Sequence, residues 1–199
     1  MFTVQIQEFE REGLLIMGSN LQPHYVAMSL GDYGPQVINR LLASYDRLGI
    51  FVAMVKPRSW AHVASWTGDN PLVWYRFDPS DLEQVRLGLE RACTVLFESG
   101  ALELFLPIVR NGRVTPMTEV RALLPKLTAK ELELISVHAM SSCPMGTDIS
   151  QSVVDPDGKL RALDNVTITD ASILPSNIGE NPQGTLMGFA HKVIMNHLN

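Results

Sequence analysis

Apolar and polar residues alternate with period two across Phe2, Val4 and Ile6, the spacing of a strand with one buried face, so residues 2–6 place the start of the chain inside a sheet. A sheet entered in this way has an edge that needs cover or a partner strand. Past a turn at Arg11, Glu12 and Gly13, the run Leu14, Leu15, Ile16 and Met17 leads to a short helix around 25–30. A clearer helix over 35–48 carries Val37, Ile38, Leu41, Leu42 and Tyr45 on one face. Residues 50–55 form an apolar run bounded by Gly49 and Pro57, and residues 72–77 are rich in β-branched and aromatic side chains; both read as strands.

Ser80 followed by Glu83 has the spacing of a capping box, in which each side chain satisfies a backbone N–H of the first helical turn. The helix it opens keeps Leu82, Val85, Leu89, Ala92, Val95 and Leu96 at helical spacing until Gly100. Its acidic residues Asp81, Glu83, Glu90 and Glu98 are expected on a solvated face. A helix over 117–124 stops at Pro125, and a second capping box, Thr128 with Glu131, starts a short segment leading to His138. A strand over 165–169 and a helix over 185–198 follow, the latter with Leu186, Phe189, Val193, Ile194 and His197 on overlapping apolar faces.

At 199 residues with 46% apolar and 19% charged side chains, the chain has the make-up of an ordinary soluble protein with one good core or two small ones. Its net charge of −5 leaves no basic stripe, which argues against nucleic acid or an anionic membrane as partner and for small-molecule chemistry. No apolar run reaches the roughly 20 residues of a bilayer span. The N-terminus lacks the basic flank and apolar block of a signal peptide, so the expected location is cytoplasmic. Cys93 and Cys143 are a poor disulfide framework and are expected as free thiols.

Three segments carry candidate chemistry. They are His138-Ala-Met-Ser-Ser-Cys-Pro-Met-Gly146, then Asp170-Ala-Ser-Ile-Leu-Pro175, then Asn181-Pro-Gln-Gly-Thr185. In this order and spacing they resemble the C-terminal signature of the glucose-methanol-choline (GMC) oxidoreductases, which oxidise alcohols with FAD. Val153-Val154-Asp155 and Leu160-Arg161 add to the likeness. The resemblance covers essentially the whole chain, diffusely before His138. It implies an α+β fold: residues 1–150 as the antiparallel, helix-backed sheet of a substrate-binding domain ending in the catalytic histidine loop, and 151–199 as the last strand and helix of an FAD-binding domain. The N-terminal Rossmann part of that domain is missing. No Gly-x-Gly occurs among the 14 glycines, so the turn that holds the FAD pyrophosphate at a helix N-terminus has no counterpart here.

The resemblance also implies roles. Oxidation of an alcohol removes the hydroxyl proton as hydride leaves the carbon, and a histidine, with an ordinary pKa of about 6.5, suits the proton transfer. His138 is the implied acid/base. Asn181 stands at the position of its partner, which places the chain with the His/Asn members, such as cholesterol-oxidase-like, long-chain-alcohol-oxidase-like and choline-oxidising enzymes; an amide can donate or accept at any pH. Asp170 and Ala171 would lie by the ribityl and pyrophosphate groups, while Asn181, Pro182, Gln183 and Thr185 approach the flavin ring. The last helix would bring its partly positive N-terminus to the reduced flavin.

Ser141, Ser142 and Pro144 depart from the family, many of whose members have a glycine here, and a glycine lost restricts the loop's backbone. A metal site from His138 and Cys143 fails for want of ligands. His24, His62, His191 and His197 have no supporting constellation. Trp60, Trp66 and Trp74, with Phe77, are expected in the core; lining a cavity instead, they would favour an apolar or extended alcohol. The expected activity is hydride transfer from a CH–OH donor to FAD, with an alcohol substrate and a separate or missing N-terminal FAD-binding chain as partner. The rival expectation is a non-catalytic remnant that acts as a binding module.

Overall fold

Three antiparallel strands, β1 (Phe2–Ile6), β2 (Leu14–Ser19) and β3 (Ile50–Val55), form the main sheet of the computed structural model in the order β1-β2-β3. Residues 2–19, 22–64, 70–109 and 112–198 are described. β1 and β3 fall on the residues whose pattern predicts them. β2 occupies the run that the sequence left as a lead-in. Its Leu14, Leu15, Ile16 and Met17 are all buried, as befits a central strand covered on both faces rather than one alternating between core and water. α1 (Pro23–Ser29) and α2 (Gly34–Leu42) follow β2 and build a small core of Val26, Leu30 and Leu41, with Ile50 and Phe105 against it. α2 is shorter than the expected 35–48; the chain leaves it at Ala43 and makes a separate 3-10 turn at Tyr45–Arg47.

β4 (Ala61–Ala64) and β5 (Leu72–Tyr75) form a two-stranded ribbon, after which comes the longest helix, α3 (Pro79–Glu98). α3 lies on the sheet at Gly88, where an added Cβ would sit 3.3 Å from Leu14 and 3.5 Å from Val55, so a larger residue would lift the helix off β2 and β3. The N-cap of α3 is Asp78, two residues before the expected Ser80: its carboxylate accepts the Ser80 N–H at 2.7 Å, and Pro79 takes the first helical position. A carboxylate at the positive helix end with a proline behind it outcompetes a serine. Asp81 departs further from expectation. It is 2% exposed and turned inward. Its Oδ1 accepts the Arg58 N–H at 2.8 Å, and its Oδ2 accepts the Ser59 N–H at 2.9 Å and the Ser59 hydroxyl.

β6 (Leu104–Phe105) pairs with β7 (Arg113–Val114), and α4 (Met117–Leu123) runs into a 3-10 turn at Leu124–Lys126 that begins just before Pro125. These elements and α3 enclose the larger core, with Val85, Leu89, Cys93, Val120 and Leu127 buried and Phe77 packed against it. At Thr128 the expected cap forms without a helix: Glu131 accepts the Thr128 N–H and hydroxyl, both at 2.8 Å, across a single turn. Trp60 and Trp74 are exposed, not in the core, while Trp66 and the side chain of His197 lie outside the described residues. Residues 165–169 do not form a strand; they contribute one bridge, Thr167 to Lys159. The last helix, α5 (Gln183–Leu198), starts two residues earlier than expected. The chain divides into two compact units, Met1–Leu134 and Ile135–Asn199. No helix among the described residues is long and apolar enough to cross a membrane.

Candidate functional site

The unit Ile135–Asn199 contains the three motif segments together. His138 is half-buried in a stretch without regular secondary structure, reached through exposed Ile135 and Val137. What fixes the loop of residues 138–146 is backbone hydrogen bonding. The Cys143 N–H donates to Ser172 O at 3.0 Å and the Met145 N–H to Ile173 O at 2.9 Å, which lays the histidine loop alongside residues 170–174. On its other side Gly146 N–H donates to Val154 O at 3.0 Å, and Val153 N–H to Pro144 O at 3.0 Å. The first and second motifs are thus joined as one piece.

Two polar side chains complete this joint. Gly146 O accepts from Arg161 Nη2 at 2.6 Å and has the Ser152 hydroxyl at 3.1 Å; the same hydroxyl is 2.6 Å from Asp148 O. A hydroxyl has one proton, so Ser152 serves Asp148 O while Arg161 serves Gly146 O. Ser152 is buried, and nothing in its sequence context marked it. Ser141, three residues past His138, adopts φ 69°, in the left-handed region where a side chain costs about 1–2 kcal/mol. The backbone therefore kept the conformation that a glycine would take without strain, although a serine occupies it.

The 170–174 segment is a 3-10 turn, Ala171–Ile173, capped by Asp170. Asp170 Oδ1 accepts the Ser172 N–H at 2.8 Å and the Ser172 hydroxyl. The hydroxyl and then the N–H hold the carboxyl below the usual carboxylate range. Both bonds fall on one oxygen, so Oδ2 is not spent on the turn. Ala171 is half-buried, and Ile173 and Leu174 are buried.

The third motif enters α5 directly. Asn181 is half-buried, Pro182 is buried with its carbonyl accepting Leu186 N–H at 2.8 Å, and Gln183 and Thr185 are exposed in the first turn, which has no acidic residue. No acidic residue in the first turn offsets the partial positive charge of the helix N-terminus. α5 is held to the rest of the unit at Val193, which packs on Gly158 in the turn at residues 155–158. Gly158 has φ 85°, and a Cβ there would stand 2.6 Å from Val193 Cγ1. Asp155 Oδ1 ties that turn by accepting the Asp157 and Lys159 N–H groups, each at 2.9 Å. The Asp155-Pro156-Asp157-Gly158 run is a strong turn signal by composition, and it could have located this joint from sequence.

The other described histidines have their own settings. His62 stacks on Trp74 with centroids 5.5 Å apart, His24 tilts against Tyr25, and His191 is exposed on α5. Among the described residues no three His, Cys, Asp or Glu side chains group to hold a metal ion. Cys93 and Cys143 are both free.

Residues 67–190 match the family model described as GMC oxidoreductase. An uncharacterized GMC-type oxidoreductase of Mycobacterium tuberculosis (strain ATCC 25618 / H37Rv) is 30% identical over 186 residues, 93% of this chain and 29% of the relative. A long-chain-alcohol oxidase of Arabidopsis thaliana is 28% identical over 164 residues, 78% of this chain and 22% of the relative. An alcohol dehydrogenase (acceptor) of Pseudomonas putida is 28% identical over 168 residues, covering 81% and 28%. The chain spans about a third or less of the length of these relatives.

Proposed function

Because the chain belongs to the GMC oxidoreductase family, we propose that it supplies the proton-transfer side of an FAD-dependent alcohol oxidation, with His138 as acid/base and Asn181 as the residue that orients the substrate oxygen. The observation that carries this reading is the joint described above: Cys143 and Met145, five and seven residues past His138, are hydrogen-bonded onto Ser172 and Ile173, in the same unit as the Asn181–Pro182 entry to α5. A loop anchored this close to His138 keeps the histidine beside residues 170–174, the proximity that a proton transfer to a bound substrate requires.

The residues present fit a flavin. The first turn of α5 has no acidic residue, so the partial positive charge of a helix N-terminus is suited to the electron-rich pyrimidine end of the ring. Asn181, Pro182, Gln183 and Thr185 would hold that end, and Asp170 and Ala171 the ribityl side, Asp170 through Oδ2. Bound there, FAD supplies the hydride acceptor. His138 takes the hydroxyl proton of the alcohol, and Asn181 donates its amide N–H to the same oxygen as charge develops on it. The name of the Arabidopsis relatives, long-chain-alcohol oxidases, supports a long-chain alcohol as the substrate to try. The phosphates of FAD would be held by a polypeptide bearing the Gly-x-Gly-x-x-Gly turn that this sequence lacks.

The test is to titrate the chain with FAD, alone and co-expressed with such a flavin-binding polypeptide, and follow bleaching of the flavin band on adding long-chain alcohols without oxygen. His138→Ala is expected to slow bleaching by about 10²–10⁴ with flavin binding intact. Equal rates in wild type and His138→Ala overturn the assignment. Flavin that never bleaches, in a complex that does form, favours the non-catalytic reading.

A further inference from the structure

Residues 143–146 are bonded at every position. The Cys143 and Met145 N–H groups donate to Ser172 O and Ile173 O, Pro144 O accepts the Val153 N–H, and the Gly146 N–H donates to Val154 O. All of these run between backbone groups, so an exchange of side chains leaves them in place. One bond differs. Gly146 O accepts from Arg161 Nη2 at 2.6 Å, while the Ser152 hydroxyl, 3.1 Å away, directs its one proton to Asp148 O at 2.6 Å. This carbonyl is therefore held by a guanidinium N–H, a charged donor and a stronger one than a neutral group, and a single substitution removes it.

The local fold explains why the donor is Arg161. Met145 bridges Val154 and Val154 bridges Leu160, so three segments lie side by side with fully buried Val154 in the middle one. Arg161 is tied to that middle segment by its own N–H, which donates to Val153 O at 2.9 Å. Its side chain then crosses over the middle segment to the far one, a span of two strand spacings or roughly 10 Å. Such a reach needs a long basic side chain, and a planar guanidinium presents its donors in a fixed fork where an ammonium does not. Arg161 is exposed, so its truncation opens no cavity in the core.

We propose that Arg161 is a positioning residue: through Gly146 O it sets where residues 143–146 lie and, through them, where His138 is held relative to Asp170 and Ala171. The consequence for alcohol oxidation rests on the proposed role of His138; the consequence for the surroundings of its ring does not. Residues 143–146, bonded along both sides, shift as one piece. His138 is joined to that piece through Ser141, whose φ of 69° makes a turn. Loss of the guanidinium frees Gly146 O and lets the piece pivot on its Ser172 and Ile173 bonds, carrying the histidine with it.

The test compares Arg161→Met, which keeps the stem and loses the donors, with Arg161→Lys, which keeps one cationic head. Amide hydrogen exchange reads the bonds. The ring signals of isotope-labelled histidine in nuclear magnetic resonance read His138, assigned by its loss in His138→Ala. In Arg161→Met, exchange at Met145 and Gly146 should quicken about tenfold, the worth of one exposed bond to a charged donor. The His138 ring signal should move while those of His24, His62 and His191 stay, and exchange across α5 should match wild type. Arg161→Lys should fall between the two. A His138 signal that stays in place while Gly146 exchange quickens overturns the proposal in either variant, as does unchanged exchange at Gly146. If Arg161→Met loses protection throughout α5, Arg161→Lys decides on the same two readings.

Flavin reduction separates this proposal from the oxidoreductase reading. In the co-expressed complex, Arg161→Met should slow alcohol bleaching by up to about 10²-fold, the cost of misplacing a catalytic group by about 1 Å, with flavin affinity unchanged. Bleaching at the wild-type rate overturns the positioning role and leaves the oxidoreductase reading. A complex that forms and never bleaches removes that reading, while a moved His138 signal upholds the placement by Arg161.

Discussion

Replacing Asp81 by alanine tests whether a single buried carboxylate holds the start of the ribbon to α3. Three hydrogen bonds end on it: the Arg58 N–H at 2.8 Å, the Ser59 N–H at 2.9 Å and the Ser59 hydroxyl. The Ser59 oxygen in turn accepts the Asp78 N–H at 2.9 Å, so the bonds close a circuit between residues 58–59 and the helix cap. Bonds to a charged acceptor contribute about 1.5–3 kcal/mol each, and three taken at about 2 kcal/mol set a ceiling near 6 kcal/mol. Arg58 is exposed and Ser59 half-buried, so water reaches part of what is vacated, and we expect about half the ceiling, roughly 3 kcal/mol. For a unit of this size that is a fall in Tm of about 10 °C. Asp81→Asn, which keeps one acceptor oxygen but turns an N–H₂ toward donors, should lose about half as much. Urea unfolding followed by far-ultraviolet circular dichroism of α3 measures both. A loss below about 1 kcal/mol for Asp81→Ala, with the denaturant slope unchanged, would refute the reasoning.

Gly158→Ala would force a Cβ into Val193 from a left-handed backbone; it should destabilise residues 135–199 by about 2–4 kcal/mol, and Val193→Ala should restore part of that, as read by hydrogen exchange in α5. Burial, and then the Glu90 carboxylate, push the Cys93 thiol up to about 12, so iodoacetamide at mildly alkaline pH should label Cys143 alone in the native protein and both cysteines in urea. Asp170 has a folded pKa depressed by Ser172, so its stabilisation is present above the unfolded carboxylate value of about 4 and is lost as pH falls through the lower folded value. Ser172→Ala should flatten that acid limb in a pH series of melting temperatures, and an unchanged limb would exclude the contact. Ser141→Gly removes the left-handed strain of about 1–2 kcal/mol but loosens the unfolded chain by up to about 1 kcal/mol, so it should leave stability level or slightly raised, whereas Ser141→Val should lower it.

The helix starting near residue 80 was legible because Val85, Leu89 and Ala92 keep the helical spacing of its buried face, whereas the strands at 2–6 and 50–55 were found by their apolar content although Val4, Phe51 and Val52 are exposed. β2 was missed for the converse reason: buried on both faces, Leu14 to Met17 have no alternation to read. Asp81 was placed in water because a charge on an amphipathic helix usually is, and the residues that bury it, Arg58 and Ser59, lie more than 20 positions away across the ribbon. The tryptophans failed in the other direction. Trp60 and Trp74 are the residue type of a core, but they are 57% and 45% exposed, Trp74 with only the His62 ring stacked on it among the described contacts. The three motif segments were found by their order and spacing; the backbone bonds that join the first to the second, and the Arg161 and Ser152 contacts at Gly146, leave no composition signal.

Those backbone bonds bear on how the His138 loop tolerates change. Its attachments run through the N–H groups of Cys143, Met145 and Gly146 and the carbonyls of Pro144 and Gly146, so the side chains at Ala139, Ser142 and Cys143 are not what fixes it. Ser141 keeps a left-handed φ of 69° two residues before the first of these bonds, at Cys143. The departures of residues 141, 142 and 144 from the family pattern leave the bonds at 143–146 in place. The vulnerable members of the arrangement lie elsewhere. Removing Arg161 would leave Gly146 O with only a hydroxyl already directed at Asp148 O, and enlarging Gly158 would push α5, and the Asn181 entry at its start, away from the turn that fixes it.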